Sequence, residues 1–207
     1  MIDRNIQPLI REPQLSTVPS PEKRVMRNGI PLYILSGGDH EVVRIDFVIR
    51  AGRWFQTQHL QALFTNRMLR EGTRKYAASE IAEKLDYYGA WLELSCSSEH
   101  SYITLYSLCK YLPETLDILE SIIKEPLFPD KELQIVIENN LQQYHINRTK
   151  VDFLAHRSLM QSIYGEHHPC GQVTEENDYR TITPLVLNDF YKRYYTSGNC
   201  SIYLAGK

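Results

Sequence analysis

The sequence predicts an α+β fold, an antiparallel or mixed sheet covered on one face by helices. Two observations carry that expectation. Segments with a two-residue apolar period fill much of the stretch from position 23 to 110 and return at the last residues. Segments with three- and four-residue spacing lie between and after them, so strands come in hairpins with helices inserted and appended.

Taken in order, residues 1–22 hold four prolines and suit an extended arm better than a helix or a central strand. Residues 23–207 are then expected to form a single domain. "KRVMRNGIPLYILSGG" reads as two short strands around Asn28-Gly29, the dipeptide that a tight hairpin turn favours. "VVRIDFVIRAGR" alternates Val43, Ile45, Phe47 and Ile49 with Arg44, Asp46 and Arg50, as a half-buried strand does.

Helices are expected over about 57–71 and 78–88. "AWLELSCSSEHSYITLYSLCK" then reads as a second hairpin, with Leu92 and Leu94 alternating in one strand and Tyr102, Thr104 and Tyr106 in the other. Further helices are expected over about 111–125, 129–147, 151–163 and 183–195, the last opened by Thr183 as cap and Pro184 at the tolerated first position. "CSIYLAG" supplies a final strand.

With 207 residues, 43% hydrophobic and 23% charged, the chain can bury one sizeable core. A net charge of −2, with basic residues spread along the chain, leaves no clustered footprint for nucleic acid or an anionic membrane surface. No apolar run approaches the ~18 residues of a membrane span, and "MIDRNIQPLIREPQLS" lacks the apolar centre of a secretory signal; a cytoplasmic location is expected. Cys96, Cys109, Cys170 and Cys200 form no C-x-x-C pair and read as free thiols. The chain also lacks G-x-S-x-G, P-loop and G-x-G-x-x-G motifs.

One stretch carries more information. In "LFTNRMLREGT", Leu63, Phe64 and Met68, with Leu60 one turn before them, keep the stripe of a buried helix, and Thr65, Asn66 and Arg67 stand between. The strand end "RAGRW", the helix end "MLREGT", the later "SIYGEHHPCGQ" and the closing "LNDFYKRYYTSGNCSIYLAGK" together resemble the pitrilysin/insulinase zinc peptidases, which include the mitochondrial processing peptidase. The resemblance runs from about residue 22 to the end and implies a processing-peptidase-like metallohydrolase domain, the N-terminal half of a longer two-domain protein.

In that family the helix carries H-x-x-E-H. With Met68 and Leu69 fixed, those positions fall on Leu63, Asn66 and Arg67. The chemistry needs two imidazoles at i and i+4 to grip zinc and a carboxylate to take a proton from the metal-bound water. Leu63 has no lone pair to offer, Asn66 cannot act as a base, and Arg67 would set a permanent positive charge beside a dication. The family's third ligand is a glutamate on a later helix. The nearest phrase here, "IVIENNL", sets Asn139 at that position, with Glu138 one residue early and turned by about 100°.

Other residues offer little for rebuilding the site. His59 has no acidic neighbour within a turn, and His167-His168 are adjacent in a loop. Cys96 falls inside an alternating strand with no histidine placed by sequence to activate it. The resemblance therefore implies a homologue that has lost its ligands and its general base, with zinc expected for the family but not held here. Such a chain would act as the non-catalytic, peptide-binding or chamber-completing subunit beside an active zinc-bearing homologous subunit. The alternatives are a structural scaffold without peptide binding and an active metallopeptidase with unorthodox ligands.

Overall fold

The structure, a computed structural model, describes residues 19–207. Most of the expected N-terminal arm lies outside the described residues, and Glu22, its last position, already belongs to the first strand. The strands are β1 (Glu22–Val25), β2 (Pro31–Ser36), β3 (Val42–Ile49), β4 (Trp91–Cys96), β5 (Ser101–Leu108) and β6 (Cys200–Gly206). The helices are α1 (Gln61–Met68), α2 (Ala78–Tyr87), α3 (Leu112–Lys124), α4 (Asp130–Asn147), α5 (Val151–Tyr164), α6 (Glu176–Arg180) and α7 (Pro184–Tyr194).

The six strands form one sheet in the order β1-β2-β6-β3-β5-β4. It is mixed because the last strand enters its middle, parallel to β2 and antiparallel to β3. Both hairpins form, but the first has a longer turn than Asn28-Gly29 suggests. Met26 and Ile30 are joined by a backbone hydrogen bond, only Gly29 takes a positive φ, and the Asn28 side chain accepts from Ile30 N–H instead of entering the left-handed region.

Register places Ile45 against Leu105 and Phe47 against Ile103, so these residues share the face that the helices cover. Tyr102, Thr104 and Tyr106 alternate as expected, but on the opposite face. There Asp46 accepts from Arg44 and from the Thr104 hydroxyl at 2.6 Å. The largest fully enclosed side chains, among them Phe64, Met68, Ile103, Ile122, Leu187 and Phe190, lie between this sheet and the helices.

Helix α1 sits at the centre of that layer, packed against α7, β4 and β5. It is shorter than the apolar pattern suggests because residues 57–60 form a turn, ending at Leu60 with φ of 68°. A left-handed leucine costs about 1–2 kcal/mol, held here by the buried surroundings of Leu60. Two features of the flanking motifs have plain structural causes. A side chain at Gly52 would strike the 98–100 backbone at 2.4–2.5 Å, so "AGR" can pass beneath the β4–β5 turn only with glycine there. Past the helix, the carbonyl of Gly72 accepts from Leu127 N–H and Arg74 N–H donates to the Glu125 carbonyl, which fastens "EGT" to the end of α3.

Candidate functional site

The three positions singled out in α1 have different surroundings. Leu63, partly buried, and Arg67, one turn on, line the same cavity of about 400 Å³. Asn66 turns inward and is fully enclosed. Its amide donates to the Tyr102 carbonyl at 3.2 Å, while its Oδ1 has no hydrogen-bond partner among the described residues. The Tyr195 hydroxyl, also enclosed and without a partner in hydrogen-bond geometry among the described residues, is pushed well above the usual phenol range by burial.

The third position is supplied by α4. Of its two neighbouring asparagines, Asn139 is exposed, whereas Asn140 accepts a hydrogen bond from Arg67 Nη1. The Asn140 amide nitrogen in turn donates to the Val136 carbonyl at 2.6 Å, which fixes Oδ1 toward the guanidinium. Glu138 is exposed, as its phase on the helix requires. The contact between α1 and α4 therefore runs one residue later than "IVIENNL" suggests on its own.

Arg67 stands between two cavities. The first is bounded by α1, α4, α5 and the 170–174 loop, and by Arg53 and Tyr179. The second, of about 460 Å³, lies between α1, α4 and β4 and includes Trp91, Glu93, Ile135 and Asn139. Arg67 makes no ion pair among the described residues. Loss of solvent pulls its guanidinium below the usual arginine range, with Arg70 pushing the same way.

Zinc is the metal that the motif's frame implies, and these groups do not fit it. Leu63 is hydrocarbon, Arg67 carries only donors, and Asn140 offers a neutral carbonyl already committed to Arg67. Among the described residues no three His, Cys, Asp or Glu side chains lie close enough together to hold a metal ion.

The remaining candidates have structural contacts. His59, which lacks a local acid, finds one far along the chain, since its Nδ1 is 2.9 Å from Asp178 Oδ2. His168 stacks on Tyr164 with ring centroids 5.1 Å apart and accepts from Cys170 N–H, while His167 is exposed. Cys96 packs against the core, and burial raises its thiol pKa, which disfavours the nucleophilic thiolate.

Residues 34–172 match the family model described as Insulinase (Peptidase family M16). The chain belongs to this family. It is 28% identical over 198 residues to mitochondrial-processing peptidase subunit alpha-1 of Dictyostelium discoideum, covering 93% of this chain and 29% of that protein. It is 21% identical to an uncharacterized zinc protease of Rickettsia felis, covering 87% and 45%.

Among solved structures, a peptidase M16 inactive domain from Pseudomonas fluorescens superposes with a TM-score of 0.85 at 22% identity, over 90% of this chain and 46% of that one. A protease from Helicobacter pylori gives 0.83 at 14%, over 92% and 47%. The chain spans less than half the length of each of these M16 relatives.

Sequence reasoning singled out the α1 positions and Asn139 but not Asn140, Arg53, Arg157 or the Asp178 partner of His59. A helical wheel of α4 phased on the buried Leu133 and Ile137 selects Asn140 over Asn139, because 133, 137 and 140 share a face. No local signal joins His59 to a residue 119 positions away.

Proposed function

We propose that this M16 domain performs no zinc chemistry and serves as the non-catalytic, peptide-holding partner of an active zinc-bearing homologue. The observation that carries this reading is the Arg67–Asn140 contact. Side chains from the two helices that would supply ligands are instead hydrogen-bonded to one another, and they bring a positive charge. Asn66 lends further support, since its amide is bonded to the β5 backbone and has no carboxylate with which to accept a proton.

Two of the similar proteins are subunits by name: the alpha-1 subunit of the processing peptidase, and subunit 1 of the mouse cytochrome b-c1 complex at 21% identity. The Pseudomonas domain is called inactive. For the peptide, β4 is an edge strand with no second neighbour among the described residues, and it borders the cavity that contains Trp91 and Arg67. An extended peptide can add to such an edge through its main chain.

The test is to mix this chain, at saturating concentration, with a zinc-bearing M16 homologue from the same source and follow hydrolysis of an unfolded peptide. The reading expects no hydrolysis by this chain alone and a raised rate or affinity in the mixture. Unchanged parameters would favour a scaffold without peptide duty, and metal-dependent hydrolysis by this chain alone would favour unorthodox ligands.

A further inference from the structure

We propose that the cavity beside Arg67 is a carboxylate-binding site, and that its ligand is a carboxylate of the bound peptide. The second half of this proposal rests on the peptide-holding reading; the first stands on the cavity itself.

Among the described residues, three arginines, Arg53, Arg67 and Arg157, line the cavity, and no Asp or Glu does. Arg157 is paired with Glu175 just outside the lining. Arg53 is exposed and donates to the neutral Ser98 hydroxyl at 3.2 Å. Arg67 differs in being partly buried and held by a neutral amide. Asn140 takes one N–H of the fork, orients the guanidinium and leaves its charge uncompensated among the described residues. The other donors of the guanidinium remain available for a planar, two-pronged acceptor, the geometry in which arginine binds a carboxylate best.

A charge withdrawn from water without a counter-ion is unfavourable, and a ligand that brings the counter-ion removes that penalty on binding. The surroundings favour such a ligand. Gln143, Asn147 and Gln172 also line the cavity and can donate to an anion without adding charge of either sign. The whole chain carries a net charge of −2, so a lining with three cations and no anion is a local reversal. Arg67 reaches the second cavity as well, which Arg70, Glu71 and Glu93 also line, beside the edge strand β4. A peptide lying along that edge would bring a side-chain or terminal carboxylate within its reach.

The experiment measures binding of a fluorescent unfolded peptide to the 207-residue chain in four versions: with an internal Glu or Gln, and with a C-terminal acid or amide. The Glu–Gln pair and the acid–amide pair separate the two sources of the carboxylate. At least one pair should differ by about tenfold in affinity, and that difference should vanish in Arg67→Gln, shrink in Arg67→Lys, and persist in Lys131→Gln, a change to an exposed charge on α4. Thermal unfolding of each variant confirms that it is folded.

In parallel, N-acetylglutamate is added at constant ionic strength and the melting temperature followed. It should rise in the wild type, rise less in Arg67→Lys, and not move in Arg67→Gln. Peptide binding that is equal in all four versions, with no response to N-acetylglutamate, overturns the site and leaves the peptide-holding reading intact. No peptide binding, with an Arg67-dependent response to N-acetylglutamate, supports the site and ends the peptide-holding reading. No effect in either assay overturns both.

Discussion

Helices α1 and α5 invert the ordinary relation between sequence and burial. Helix α1 contains Gln61, Thr65 and Asn66, and all three are enclosed. Helix α5 contains Val151, Leu154, Leu159 and Ile163, and all four are exposed; none of its residues is fully buried. In α1 the polar groups are tied to backbone: Gln61 to the Val186 carbonyl, Thr65 to the Gln61 carbonyl, Asn66 to the Tyr102 carbonyl. Position between sheet and α7 therefore decides burial, and polarity is accommodated by local hydrogen bonds. A helix at the centre of the core can exchange the residues of a metal motif and still be held by Phe64 and Met68.

That contrast makes its sharpest claim about stability. Phe64→Ala removes a fully enclosed ring that meets Tyr179 edge-on at 6.0 Å, and is expected to cost about 3–5 kcal/mol. Leu159→Ala, on the exposed side of α5, is expected to change stability by no more than about 0.5 kcal/mol. Denaturant unfolding of the two variants checks the difference; equal losses would mean that α5 is buried in the folded protein.

The second prediction restores the metal frame. The changes Leu63→His, Asn66→Glu, Arg67→His and Asn140→Glu should create a zinc site. With zinc about a hundredfold above its dissociation constant, stability should rise by about 2.7 kcal/mol, or about 5–10 °C in melting temperature for a domain of this size. The same variant with Asn139→Glu in place of Asn140→Glu should respond less, because Asn139 is exposed and Asn140 is the residue that meets Arg67.

Much of this fold was legible in the sequence, because strand alternation and helical spacing are local signals. Both hairpins, the Thr183 cap on α7 and the closing strand follow from them. What was not legible is non-local. Nothing near Cys200 says that β6 enters the sheet between β2 and β3, and α6 is too short at five residues to show a period. At the site, the three α1 positions were singled out because flanking phrases fix their register. Asn140 was passed over for Asn139, although the helix phase set by Leu133 and Ile137 separates the two.

Smaller effects test the interior of α1's surroundings. Tyr195→Phe deletes an enclosed hydroxyl that makes no hydrogen bond of good geometry among the described residues, so it should be neutral or stabilise by up to about 1 kcal/mol. Thermal unfolding reads the sign; a loss above about 1 kcal/mol would mean that the hydroxyl is bonded.

Alkaline pH should weaken the same region. Burial raises the Cys200 thiol from 9.0 to about 11, so the unfolded chain releases that proton first. The contribution is intact below pH 9 and lost as pH rises through about 11; Tyr195 acts in the same sense. Because solvent partly reaches Cys200, the effect is small, and Cys200→Ala should flatten part of the decline in stability measured across that window.

The central claim, that α1 has kept its packing and given up its metal, is tested most directly by the zinc content of the purified chain after equilibration with excess zinc and gel filtration, beside Arg67→Ala. The account predicts far less than one zinc per chain in both proteins and no hydrolysis of an unfolded peptide. One tightly held zinc per wild-type chain, lost in Arg67→Ala and accompanied by hydrolysis, would contradict it.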